Sequence, residues 1–472
     1  MESLTGVFDK GVNTRKILIA TLTATIGGFL FGYDIGVVGP ALVYLTPFFH
    51  LTTIETAFVG SGIFLTAFFA AIINGKLADE YGRKKLLIMD GVIFLIFAIF
   101  TALSVNATMV IIGRLAIGVA LGTDAISTAY ISEFTPKARR GRFSLSQQIM
   151  VELGITISFA VSFALISFIH STDVWRWMFA LGAVPAAILL GLRAFMPESP
   201  RWLLKKGDEK KLAKSLNFFG VDANKYKEMM QTVNDDSTRI KKKFSASDIN
   251  AIKITSLWEF FLQYTGVNVV LFYSALVFVV LGFSGHFSIL SNVFVNAIAI
   301  IFLIISLYFI DKWGRVRLGI IGFSGTAVGM AISAVGSYML LVGDRGLGII
   351  FLLGGILIFY SLFSFGVGGV GWVIRGEVIP STQNRGYGTG ILSSVAFISS
   401  FSLLFIFPIW KEYLGLTSFY VFVSIMSVIA VLYVKFILPE VKGKSVEEMN
   451  YVFKEGFWKA KKDSDKADKG PR

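Results

Sequence analysis

Long apolar runs separated by short polar gaps dominate the chain. Roughly twelve can be marked, at residues 15–43, 55–76, 86–105, 109–132, 143–169, 175–196, 252–281, 287–310, 317–342, 347–375, 386–409 and 416–438. Each is close to the length of about 20 residues that an α-helix needs to cross a bilayer. A spanning barrel would instead show short alternating segments, and lipid cannot satisfy open backbone groups, so helices are the reading that fits. Glycines recur at helical intervals of four, as Gly28, Gly32 and Gly36 in the first run and Gly118 and Gly122 in the fourth. Small residues at that spacing let helices approach closely, so these predict packing contacts.

The gaps alternate in charge. Even gaps carry Arg83, Lys84 and Lys85, then Lys137, Arg139, Arg140 and Arg142, then the lysines of 205–243, then Lys312, Arg315 and Arg317. Odd gaps hold little more than His50, Glu55, His170, Asp173, His286, Asp344, Arg345 and Lys411. Positive charge stays on the cytoplasmic side, which predicts a multi-pass protein of the cell membrane with both termini in the cytoplasm. The first run is full length and lacks a small-residue cleavage pattern, so it is expected to remain as a helix rather than leave as a signal peptide.

Residues 197–250 interrupt the apolar pattern and divide it in two. Within them Glu209 to Phe219 carries good helix formers and few breakers, which predicts short cytoplasmic helices. The expected organisation is a first six-helix bundle over 1–196, a helical linker over 197–250, a second bundle over 251–440 and a polar cytoplasmic tail over 441–472 that ends in Lys/Asp-rich sequence expected to be disordered. The two halves share a pattern. Asp79-x-x-Gly82-Arg83 answers Asp311-x-x-Gly314-Arg315, Glu133 with Arg140-Gly141 answers Glu377 with Arg385-Gly386, and Pro197-Glu198 answers Pro439-Glu440. In a membrane protein two parallel repeats suggest a transporter whose substrate lies between them.

Composition narrows the function. With 54% hydrophobic and 16% charged residues in 472, and a mean hydropathy of +0.70, the chain does not read as an ordinary soluble protein. The net charge of +13 is confined to alternate gaps, so nucleic acid is not an expected partner. Zero cysteines exclude thiol catalysis and cysteine metal sites, and three scattered histidines make no metal cluster. Gly366, Gly368 and Gly371 fit G-x-G-x-x-G but lie inside an apolar run, and Gly443-Lys444-Ser445 lacks the first glycine of a P-loop. No nucleophile, metal or cofactor constellation favours an enzyme. Energy, if used, must come from an ion gradient.

Several motifs together resemble the sugar porter family of the major facilitator superfamily, over nearly the whole chain. They are GKLADEYGRKK (Gly75 to Lys85), GRLAIGVALG (Gly113 to Gly122), YISEFTPKARRGR (Tyr130 to Arg142), PESPRWL (Pro197 to Leu203), QYTGVNVVLFYS (Gln263 to Ser274), DKWGR (Asp311 to Arg315) and PEVKGKS (Pro439 to Ser445). The resemblance implies twelve transmembrane helices in two pseudo-symmetric six-helix bundles, alternating access and a monosaccharide-like substrate. A monomer is expected, with no cofactor.

Charges within the apolar runs are expensive, at about 2.5–3.5 kcal/mol each on insertion scales. Asp34 in the first run and Arg114 in the fourth would offset one another as a pair, and the resemblance implies that Asp34 carries a proton while Arg114 modulates it. Glu152, Asp124, Glu259 and Arg375 are further ionisable residues inside or near the ends of runs. A structural role is expected for the group, with Glu152, one turn beyond Gln148, a candidate for a second proton or substrate contact. Asp79, Arg83, Glu133, Arg140, Glu198, Asp311, Arg315, Glu377 and Arg385 are read as a cytoplasmic latch whose pairs hold in one state and part in the other.

Sugars present hydroxyls and a weakly apolar ring face, so their site needs amides beside aromatic rings. Gln148, Gln263, Asn268 and Trp372 supply that chemistry, with Asn296 a further contact. The resemblance implies that Phe272 and Tyr273 belong to an outer gate. Leu262, Ala396 and Phe397 stand where the family carries polar or indole side chains, and Val367, Gly369 and Gly371 where it commonly carries prolines. Fewer polar contacts remain, so a hexose, a pentose, a polyol and a cyclic acid all stay open. The expected function is proton-coupled import of a monosaccharide, with facilitated diffusion, export of another small solute, or nutrient sensing as alternatives.

Overall fold

In the computed structural model the described residues are 14–123, 126–127, 130, 140–219, 221, 244–379, 385–442 and 446–454, and among them all regular structure is helical. The polar tail beyond Lys454, Asp124 and most of the predicted linker after Phe219 lie outside them.

The first six apolar runs become α1 (Thr14–Phe49), α2 (Thr53–Tyr81), α3 (Arg83–Ala102), α4 (Ala107–Leu121), α5 (Arg140–Phe168), and a sixth span made of α6 (Val174–Leu181) and α7 (Ala183–Phe195). Two short helices follow, α8 (Pro200–Lys206) and α9 (Glu209–Phe219). The second set comprises α10 (Ala246–Tyr264) and α11 (Val267–Val280), α12 (Gly285–Trp313), α13 (Arg315–Leu341), α14 (Arg345–Phe363), a π turn at Ser364–Gly368, α15 (Gly369–Glu377) and α16 (Arg385–Phe436). A last helix, α17 (Val446–Lys454), packs on α10. Among the described residues ten helices are long and apolar enough to cross a membrane. α16 holds two of the predicted runs, because Gly415 breaks it at φ 79° and ψ 163°, and α4 accounts for a further run. The described helices thus match all twelve runs.

Local chemistry sets the ends. Thr52 and Glu55 form a reciprocal capping box at the start of α2, and Ser245 and Asp248 repeat it at α10, satisfying N–H groups that a helix start leaves open. The predicted seventh run is not one helix. Gly266 sits in the left-handed region at φ 80°, so the run divides into α10 and α11. The tenth run is likewise interrupted by the π turn, which holds Val367 and ends directly before Gly369.

The glycine stripes make helix contacts. A Cβ on Gly28, Gly32 or Gly36 of α1 would meet the backbone carbonyls of Gln147, Val151 and Ile155 on α5, three positions with the same four-residue spacing. On α4, Gly118 lies against Ile63 and Gly122 against Ala70 and Ala71 of α2. Outward faces are apolar, with Phe168 and Phe195 each 85% exposed. In water such faces would be costly, whereas hydrocarbon is their natural solvent.

Candidate functional site

The side that bears the duplicated loops is built twice on one plan. Gly82, at φ 96°, joins α2 to α3, and Gly314, at φ 81°, joins α12 to α13. The Glu198 carboxylate accepts from the Arg83 and Lys84 backbone N–H groups at 3.0 and 3.1 Å. Glu440 accepts from those of Arg315 and Val316 at 3.1 and 3.0 Å. Each carboxylate occupies the space that a Cβ on the joining glycine would need. An anion at a helix start satisfies open N–H groups and favours the helix dipole. Burial pushes the Glu198 carboxyl above the usual carboxylate range, while its backbone bonds act the other way. The Arg83 and Arg315 guanidiniums turn back onto the Ala78 and Ile310 carbonyls that end the preceding helices, at 2.9 and 3.4 Å. Of the other predicted latch residues, all of Glu133 and the side chains of Asp79, Arg140, Asp311, Glu377 and Arg385 lie outside the described residues.

Inside the first bundle the structure brings Asp34 and Arg114 together. Arg114 Nη1 lies 2.6 Å from Asp34 Oδ1, with side chains 0% and 3% exposed. Arg114 Nε also donates to the Val59 carbonyl at 3.2 Å, which anchors the guanidinium to α2. Asp34 Oδ2 and Arg114 Nη2 have no hydrogen-bond partner, so the pair is held by one contact and retains unused valence. A second pair in this bundle was not anticipated from the sequence: Arg193 on α7 meets Asp90 on α3 at 2.8 Å. The signal was available, since both are charges within apolar runs. Asp90 borders a cavity of about 30 Å³ that Gly27, Thr123 and Gln147 also line.

The second bundle carries its own buried pair. Arg375 and Glu259 make two parallel contacts, Nε to Oε1 at 2.6 Å and Nη2 to Oε2 at 2.5 Å. They join the first and fourth spans of the second half, as Asp34 and Arg114 join the first and fourth spans of the first. The two residues that appeared as separate departures in the sequence therefore offset one another. Arg375 also lies over the Trp372 ring, 5.0 Å from its centroid, fixing the face of an expected sugar contact.

Three of the five expected substrate residues fall into two groups, with Trp372 and Asn296 apart from both. In one, Asn268 Nδ2 donates to Gln263 Oε1 at 2.9 Å and to Ser400 Oγ at 3.1 Å, tying both ends of the Gly266 break to α16. In the other, Gln148 Nε2 donates to Glu152 Oε1 at 2.9 Å, and a Cβ on Gly368 in the π turn would lie 3.8 Å from the same Nε2. Tyr360 on α14 approaches Glu152 from the opposite half, with its Oη 3.5 Å from Oε2. Tyr360 was not recognised in the sequence, because a tyrosine in an apolar run has no distinguishing pattern. Asn296 Nδ2 donates to the Asn292 carbonyl at 2.7 Å, and its Oδ1, like Ser364 Oγ of the π turn, is buried without a partner. Buried polar atoms of this kind are uncommon and are suited to a polar ligand.

Phe272 and Tyr273 lie on the divide between the halves, towards the side remote from the duplicated loops. Phe272 meets Phe64 of α2 with ring centroids 5.9 Å apart. Tyr273 Oη reaches towards Thr56 of α2 and Leu404 of α16 at 3.5 and 3.3 Å, and its ring rests on Phe407 at 5.0 Å. On the same side Thr53 donates to Glu412 at 2.6 Å.

The profile of the family described as sugar (and other) transporter matches residues 20–453. The glucose transporter GlcP of Staphylococcus epidermidis is 32% identical, the match covering 94% of this chain and 98% of that protein. The arabinose-proton symporter of Bacillus subtilis is 29% identical over 92% and 94% of the two chains. Among solved structures, the proton:xylose symporter XylE bound to 6-bromo-6-deoxy-D-glucose superposes with a TM-score of 0.78 at 25% identity, covering 93% of this chain and all of the other. A partially occluded inward-open form of XylE from E. coli matches with a TM-score of 0.79.

Proposed function

Because the chain belongs to the sugar (and other) transporter family, we propose that it imports a monosaccharide together with protons by alternating access. In this reading the side bearing the duplicated loops faces the cytoplasm, both termini with it, as the loop charges favour. The carrier works as a monomer. Its two halves rock about the divide that Phe272 and Tyr273 close on one side.

The observation that carries the reading is the isolated Asp34–Arg114 pair, 2.6 Å apart and sealed from solvent. Coupling requires α1 to shift within the first bundle as the halves tilt, so that Asp34 moves with α1 while the guanidinium remains tethered to Val59 on α2. Separation leaves a carboxylate without its cation, which favours taking a proton, and closure favours releasing it. A proton bound with the sugar on one side and released on the other couples the two fluxes. Gln148, Gln263, Asn268, Trp372 and Asn296 contribute hydroxyl contacts and a ring face to the sugar.

Purified protein in proteoliposomes tests the coupling. With an inward proton gradient the wild type concentrates sugar, while Asp34→Asn loses accumulation and keeps counterflow exchange. Equal accumulation by both would remove Asp34 from the coupling, no accumulation by either would leave facilitated diffusion, and absence of any sugar exchange would leave a polyol or another small solute as cargo.

A further inference from the structure

We propose that Glu152, Gln148 and Tyr360 form a clamp that closes from both halves on a pair of adjacent hydroxyls of the transported solute, with the Glu152 carboxyl as the group that selects them. The inference rests on the reading of the protein as a carrier of a polyhydroxylated solute.

Glu152 is 2% exposed and takes part in none of the described ion pairs. The described polar contacts of its carboxyl are the Gln148 amide at 2.9 Å and the Tyr360 hydroxyl at 3.5 Å. A carboxyl has about four acceptor positions, so most of its capacity is unused. The contact to Tyr360 is longer than an ordinary O–H···O bond of about 2.7–2.8 Å, which leaves slack at the point where the halves meet. Gln148 and Glu152 belong to α5 of the first half, and Tyr360 to α14 of the second.

A sugar hydroxyl fits that slack because it donates and accepts at once. Bridging Glu152 Oε2 and Tyr360 Oη with two ordinary bonds at a tetrahedral oxygen needs the two oxygens about 4.4 Å apart. The observed 3.5 Å is therefore the clamp shut on itself, and a parting of about 1 Å admits the bridge. A neighbouring hydroxyl can donate to the second carboxyl oxygen while the Gln148 amide accepts or donates beside it. Two donors on one carboxyl make charge-assisted bonds, stronger than those between neutral groups. Ser364 Oγ, unpartnered one turn from Tyr360, can receive the next hydroxyl along the ring. Phe363 stacks on Tyr360 at 6.4 Å and stiffens its ring. The selected chemistry is a neutral solute with adjacent free hydroxyls.

The test is a chemical cycle in proteoliposomes that crosses single-deoxy sugars with protein variants. Competition by D-glucose, D-xylose and their single-deoxy analogues is measured on the wild type, Glu152→Ala, Glu152→Gln and Tyr360→Phe. In the wild type, removing the clamped hydroxyl weakens competition roughly tenfold or more, as a site built around a hydroxyl rejects the analogue lacking it. In Glu152→Ala and Tyr360→Phe the same deletion costs about twofold or less, and Glu152→Gln, which keeps an acceptor, falls between. Tyr360→Phe removes one oxygen and keeps the fold in reach should Glu152→Ala fail to fold. Deoxy penalties that are the same in all four proteins overturn the clamp while leaving sugar transport standing. Preferential capture of a cationic amino sugar through Glu152 also overturns it, in favour of a cation site. A wild type that recognises none of these sugars overturns both the clamp and the transport reading.

Discussion

Replacing Asp34 by Asn exposes the energetic asymmetry of its ion pair. The two charges face each other at 2.6 Å with virtually no solvent contact, and neither is shared with another described ion pair. At charge centres about 4 Å apart and an effective dielectric of about 20, their attraction is about 4 kcal/mol. Removing one partner leaves the other buried and unbalanced, for a loss of about 3–5 kcal/mol. Arg114 cannot shed its charge, and in Asp34→Asn it is faced by the Val59 carbonyl, the Phe179 ring 6.0 Å away and the new amide but no described carboxylate, so most of that loss is expected there. Arg114→Met leaves a carboxyl that can neutralise itself by protonation, so its loss is smaller, about 1–3 kcal/mol. The double variant removes both charges and should recover most of the stability, because an uncharged pair of similar volume is often neutral. The assay is equilibrium unfolding in mixed micelles titrated with SDS, run on the wild type, both single variants and the double. A coupling energy of at least about 2 kcal/mol is expected. Additivity within about 0.5 kcal/mol would falsify the assignment of the pair as mutually dependent.

Three further outcomes follow from the same geometry. Glu198→Ala and Glu440→Ala each remove a carboxylate that holds two N–H groups at a helix start, for about 1–2 kcal/mol apiece. Similar losses in the two are expected from the same unfolding assay, and no loss in either would undo the anchoring role. Gly82→Ala forces a side chain into φ 96° and against the Glu198 carboxyl, costing about 1–2 kcal/mol for the backbone alone. Gly191→Ala, inside α7 and facing open space, is the control and should be no less stable than the wild type. Glu259→Gln removes the carboxylate charge that makes two contacts with buried Arg375, for a loss of up to about 3–5 kcal/mol. It also loosens the guanidinium over Trp372, so Trp372 emission in an otherwise Trp-reduced background should shift. An unchanged spectrum with normal stability would separate Arg375 from the tryptophan.

The helical plan was legible because its signal is long and redundant. Each apolar run presents about 20 residues of one character, and the helix over Glu209–Phe219 is visible in local propensity, although its Leu212, Leu216 and Phe219 face is buried against its neighbours. The interruptions were harder to read. Gly266 is one glycine among 47, and its left-handed conformation depends on how α10 and α11 are directed by their neighbours. The π turn at Ser364–Gly368 arises in a stretch whose composition would also suit an ordinary helix.

The candidate site divides in the same way. Asp34 and Arg114 could be matched before any coordinates, because a charge in hydrocarbon demands a partner and few were on offer. Glu259 and Arg375 met the same demand, yet 116 positions apart nothing local pairs them. Tyr360 lies 208 positions from Glu152, and only the packing of α14 against the first half brings them together.

Hydropathy, charge alternation and the repeated loop motifs are one-dimensional properties, and they determined the membrane setting, the number of spans, the duplication and the transport class. Apart from the Asp34–Arg114 pair, which polar side chain faces which was decided by the tertiary structure. Inside a bilayer a polar group lowers its energy by finding any complementary partner within a few ångströms, and that choice depends on helix rotation and depth. Neither is written in the order of residues along a single span.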